Sequence, residues 1–266
     1  MTKRRPAKRA APPLTPYKAE QVRKIADWQR EKPGFSRYIV RRLAAPFEKL
    51  TQQVIPDRAS QWLMETLNAI AEQLVEDHWV LSTAAVSNYD EIKSKPLEFC
   101  DALADRAILE GRKLALGVGA ATGTGGLVTT AMGIPALLTS GLRVIHRVAQ
   151  CYGYSGEGRL QREIMLHILA LSTASTPEDR LRALSQYQRQ VQSYLIDDAV
   201  HDAVMATLQR LVLGTEAAGS IPGVGIVVNA YLHRSFVQRA GIAAQRVFQE
   251  SWLRDRYGLG WIDSAA

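Results

Sequence analysis

Cysteine is almost absent from the chain, with only Cys100 and Cys151 among 266 residues. Two thiols cannot build a disulfide framework or a four-cysteine zinc site, so a reducing compartment is the default and both are read as small buried hydrophobes. Lysine is absent after Lys113, which removes a Walker-type phosphate loop from everything beyond it. Alternating β-branched runs bounded by turn dipeptides are missing too, and a sheet would require them. No H-E-x-x-H zinc helix and no G-x-S-x-G nucleophile elbow occurs. What is present is 47% apolar residues, enough to bury a core and exclude general disorder, in a chain expected to be all-α.

Acidic residues are missing from the first sixteen positions, which hold Lys3, Arg4, Arg5, Lys8 and Arg9 among four prolines. These five cations supply most of the formal +7, since 28 bases face 26 acids from Tyr17 onward. Met1–Pro16 is therefore expected to be a disordered basic tail, either simply solvated or in loose contact with anionic lipid or nucleic acid. No apolar segment of the kind an export signal needs follows the cations.

Helical periodicity starts at Lys18, with Val22, Ile25 and Trp28 spaced by three, and ends near Pro33-Gly34. Further amphipathic helices are expected over Tyr38–Val54, kinked or broken at Pro46, and from a cap at Asp57 through Val75. Others are expected over Leu97–Leu116, Leu160–Leu171 and Asp198–Leu213, with a looser stretch at Ser82–Pro96. Thr176-Pro177-Glu178-Asp179 is a strong helix start, because threonine can cap, proline fits the first turn and two acids meet the positive end of the dipole. That helix should run to about Leu195. The resulting organisation is a tail (1–16), a helical extension (17–46), a main helical domain (47–258) and a C-terminal tail (259–266).

No ionisable side chain occurs between Lys113 and Arg143. The intervening stretch holds seven glycines and Pro135, and each glycine costs a helix about 1 kcal/mol relative to alanine. Residues 117–126 are thus expected to be poorly helical unless closely packed. A second uncharged stretch, Ala217–Leu232, matches the first. Ile134-Pro135 falls over Ile221-Pro222, and His146-Arg147 over His233-Arg234. In both, proline is expected in the first turn of an apolar helix of about 16–18 Å that a His-Arg pair closes. Such a helix reaches about halfway through a hydrocarbon core of ~30 Å, so buried core helices and re-entrant hairpins are favoured over full spans. Close packing or insertion would rest on Gly123, Gly125, Gly126, Pro135, Pro222, Gly223 and Gly225.

The same residues carry a resemblance. Gly123-Thr124-Gly125-Gly126, Pro135, Leu142-Arg143, Ile145 and Tyr152-Gly153-Tyr154 are similar to the central signature of the EcsC family. Ile221-Pro222, Gly223, Gly225, Asn229, Phe236, Ala244 and Phe248 to Leu253 resemble its final block. The likeness covers roughly Phe47 to Tyr257, and departs at Ser155, where an aspartate often follows the tyrosine. It implies a bacterial protein in the setting of an ABC transporter, and it brings no catalytic residues.

Other chemistry is weak in the sequence. Gly117-Val-Gly119-Ala-Ala-Thr-Gly123 lacks the preceding strand of a dinucleotide site, so no cofactor is expected. Asp198, His201 and Asp202 and the pair Glu163 and His167 read as solvated helix faces, with no metal expected, while Asp101 and Asp105, four apart, read equally as a carboxylate pair or as an exposed helix face. The leading expectation is a non-enzymatic, membrane-associated protein. It would contact anionic lipid or a transport assembly from the cytoplasmic side, peripherally or partly inserted. Arg143, His146, Arg147, Asn229, His233 and Arg234 are the ligand or headgroup candidates, and no specific nucleic acid is expected. The alternatives are a hydrolase or peptidase between the two uncharged segments, with Ser140, Ser220 or Cys151 near His146 or His233, and a soluble helical adaptor. Homo-oligomers stay open.

Overall fold

The computed structural model describes residues 13–31, 78–122, 126–155, 159–174, 176–193 and 225–262. Among these residues there are eight helices and no strand. They are α1 (Pro16–Arg30), α2 (Trp79–Ala84), α3 (Tyr89–Ser94), α4 (Leu97–Thr122), α5 (Gly126–Cys151), α6 (Arg159–Thr173), α7 (Pro177–Ser193) and α8 (Gly225–Tyr257). The tail before residue 13, the expected helices over Tyr38–Val54, Asp57–Val75 and Asp198–Leu213, and Pro222 with Gly223 lie outside the described residues.

Local chemistry explains the starts and stops. Thr15 caps α1 by accepting from the Lys18 amide, with Pro16 in the first turn, where its missing N–H is no loss. The Asn88 side chain accepts from the Glu91 amide at 2.9 Å and opens α3. Thr176 accepts from the Asp179 amide at 3.0 Å, so the expected start of α7 is present. The looser stretch before α4 resolves into α2 and α3, separated at Ala85, whose φ of 51° is left-handed. At the end of α5, Gly153 takes a φ of +83° and the Tyr154 amide returns to the Ala149 carbonyl. That left-handed cap is the physical reason for glycine between the two tyrosines.

α4, α5 and α8 form the centre. Asp101–Gln249, Asp105–Gln245, Ile108–Gly241 and Gly111–Val237 contacts run α8 antiparallel to α4. Gly111–Val144 and Asp101–Tyr152 contacts make α4 and α5 an antiparallel hairpin. α6 packs on α8 and α5, α7 on α6, and α1 on α8 and α7. The core holds Leu97, Ala104, Ile108, Leu138, Leu142, Ile145, Phe236, Ala240, Ala244 and Leu253.

Two sequence expectations are corrected here. α4 continues through Gly117 and Gly119 to Thr122, and α5 begins at Gly126 and runs straight through Pro135. Proline therefore does not open this helix. It leaves the Ala131 carbonyl without its intrahelical donor, but α5 packs against α4 and α8, and tertiary packing outweighs local propensity.

Candidate functional site

The α4–α5 hairpin turns within the uncharged stretch, so both halves of that stretch meet at one end of the bundle. The first turns of α8 stand beside them, and they too are uncharged up to His233. Leu114, Leu116 and Tyr231 are exposed at this end, at 54%, 38% and 51%. Gly126, Pro135, Gly225 and Asn229 lie on the helices here, whereas Gly123 and Gly125 fall between described residues. No helix among the described residues is long and apolar enough to cross a membrane.

The two His-Arg pairs divide by burial. His146 is fully buried, and its Nε2 lies 2.8 Å from the Gln150 amide nitrogen, which donates and makes that ring nitrogen the acceptor. His233 is also buried, and burial lowers its pKa. Arg143 and Arg234 are exposed, and the half-buried Arg147 sets its guanidinium 5.0 Å from the Trp79 ring centroid. Nor do the pairs stand at one level. The sequence match sets residues 87 apart against each other, but contacts pair Gly141 with Phe236 and Tyr152 with Phe248, 95 and 96 apart. The pairs are thus displaced by eight or nine residues, about 12–13 Å along the axis.

At the opposite end lies a polar centre. Asp101, 4% exposed, accepts from Tyr152 Oη at 2.6 Å, Tyr17 Oη at 2.7 Å and Gln249 Nε2 at 2.9 Å. Gln249 continues to Gln21, and Arg246 donates to the side-chain Oε1 of Gln249 at 2.7 Å. Burial raises the Asp101 pKa against the lowering effect of these donors, and the Tyr152 hydroxyl is pushed well above its usual range by burial and the adjacent carboxylate. The solvated-face reading of Asp101 is therefore corrected, while Asp105 is exposed as expected. Position was the available signal: Asp101 lies four residues after Leu97, three before Ala104 and seven before Ile108, inside the apolar stripe.

Glu163 and His167 are corrected in the same way, at 8% and 2% exposed. Burial pushes the His167 pKa down to about 4, and its ring meets Tyr187 edge-on at 6.4 Å. A further buried acid went unnoticed in the sequence. Glu250 accepts the Ile262 amide at 2.6 Å, Gln29 donates to the Ile262 carbonyl, and burial raises the Glu250 pKa to about 7. These bonds fasten residues 258–262 to α8 and α1. Asp198, His201 and Asp202 lie outside the described residues.

Fold and site together define an all-α protein built on a long helical hairpin and a third long helix, whose described residues at one end of these three helices carry no charge. The chain belongs to the EcsC protein family, whose model matches residues 19–253 and so takes in most of α1 as well as the motifs. It is similar to the uncharacterized protein YdbA of Bacillus subtilis (strain 168), 24% identical over 184 residues, covering 64% of this chain and 68% of that protein. No solved structure matches it.

Proposed function

We propose that the protein is a non-enzymatic, membrane-associated member of its family that contacts lipid with the uncharged end of the α4, α5 and α8 bundle, peripherally and from the cytoplasmic side. The observation that carries this reading is the exposure of Leu114, Leu116 and Tyr231 where three helices have no charged residue. Removing a half-exposed leucine from water contributes about 1 kcal/mol, so a few such side chains supply a reversible membrane contact. A transport assembly embedded in that membrane is the second partner the family setting suggests.

Buried thiols support the non-enzymatic part. Burial pushes Cys100 up to about 12 and Cys151 well above the usual thiol range, so neither supplies a thiolate nucleophile at neutral pH. Flotation tests the lipid reading. Full-length protein and a chain lacking residues 1–12 are expected to rise with vesicles containing phosphatidylglycerol. If both remain wholly with the soluble fraction, the lipid reading is wrong and the soluble adaptor takes its place.

A further inference from the structure

The three central helices change from charged to uncharged at one level. Stepping along α4, α5 and α8 from the contacts Gly111–Val144 and Gly111–Val237 places Arg112, Lys113, Arg143 and Arg234 within about two residues of each other, and the direct α5–α8 contacts Gly141–Phe236 and Tyr152–Phe248 put Arg143 and Arg234 about four to five residues apart. The four thus fall in a band of roughly 3–7 Å along the axis at 1.5 Å per residue. Lys113, Arg143 and Arg234 are exposed and Arg112 is half-buried. Glu110 pairs with Lys113 at 3.3 Å from the charged side of this level, while α5 carries no acid and α8 none before Glu250. Beyond the level, Leu114–Thr122, Gly126–Leu142 and Gly225–Leu232 hold no charge at all.

We infer, resting on the membrane reading above, that these four cations form a collar that takes the phosphates of anionic lipid headgroups while the uncharged ends enter a single leaflet. Charge complementarity selects the lipid: on these three helices, among the described residues, four cations against one paired acid suit a negatively charged surface. Length selects the depth. The nine residues of α4 beyond Lys113 span about 13 Å, close to half of a ~30 Å hydrocarbon core. Cations from three different helices at one level also orient the bundle steeply to the surface, since a helix lying flat would present charge along its whole length. Arg112 and Lys113 join Arg143 and Arg234 only in the folded hairpin, which is why the sequence match between the two His-Arg pairs did not reveal the group.

The test compares full-length protein with R143Q/R234Q on vesicles of phosphatidylglycerol and phosphatidylcholine, and on phosphatidylcholine alone. At about fivefold per cation near the surface, the double variant should lose roughly 25-fold in partition to anionic vesicles, and its partition to neutral vesicles should not change. A bimane label on Leu116→Cys should be quenched by brominated lipid acyl chains, whereas the same label on Ala102→Cys should not. Both substituted side chains of the double variant are exposed, and its unchanged thermal melt verifies that it folds. Equal partition of the two proteins to anionic vesicles, or equal quenching at positions 102 and 116, overturns the collar while leaving the membrane reading standing. Failure of the unmodified protein to bind any vesicle overturns that reading itself.

Discussion

Replacing Asp101 by alanine should cost the fold about 3 kcal/mol, whereas asparagine should cost about 1. The difference follows from the partners. Tyr152 is 1% exposed and donates to Asp101 at 2.6 Å, so alanine leaves a buried hydroxyl unsatisfied, a loss of about 1–3 kcal/mol. Gln249 keeps Gln21 within 3.3 Å and Tyr17 is only partly buried, so each adds about 0.5–1 kcal/mol. Removal of a buried charge offsets part of the total, because burial is the largest influence on the Asp101 carboxyl. Asparagine retains an acceptor for Tyr152, turns its other group into a donor toward Tyr17, and carries no charge. The assay is urea unfolding at pH 7, followed by tryptophan fluorescence. A double-mutant cycle adds the decisive comparison: Tyr152→Phe should destabilise the unmodified protein but have little further effect in Asp101→Ala. Asp101→Ala within about 1 kcal/mol of the unmodified protein, or Asp101→Asn as harmful as alanine, would refute this account of how α1 is held to the bundle.

Glycine substitutions should differ in sign along the chain. Gly153→Ala meets the Lys93 backbone at 2.8 Å with a φ of +83° and should destabilise by several kcal/mol, whereas Gly117 has nothing within 4 Å and its alanine variant should gain up to about 1 kcal/mol; thermal melts separate them. His167 and Glu250 should tilt the pH profile in opposite directions. The His167 pKa is lowered to about 4 in the fold, so its stability is intact above about 6.5 and is lost as pH falls from there toward 4; His167→Gln should remove that acid-side loss. The Glu250 pKa is raised to about 7, so the protonated form favours the fold and stability falls as pH rises from about 4.5 to 7; Glu250→Gln should flatten that limb in unfolding measured across the range.

Much of the helical layout was legible because caps and periodicity are local: Thr176 and Pro177 begin α7 as the sequence alone suggests. Pro135 was misleading, since a local rule for helix starts cannot register packing between α4 and α8. Asp101, Glu163 and His167 were misread for a related reason. Four-residue spacing says that two polar side chains share a face, but not which way the face points. The apolar neighbours Leu97, Ala104 and Ile108 held that information for Asp101. Arg147 and Arg234 were recognisable as paired features and Arg143 as a headgroup candidate, yet the nearness of Arg143 and Arg234 to Arg112 and Lys113 depends on the antiparallel register of three helices, which no local pattern encodes.

Hydrogen exchange of the full-length protein, measured with and without phosphatidylglycerol vesicles, tests the central claim most directly. Contact through the uncharged end predicts slower exchange over 114–142 and 225–234, with 97–108 and 243–257 unchanged. Protection confined to the Asp101 end, or no lipid-dependent change in either uncharged segment, would contradict it.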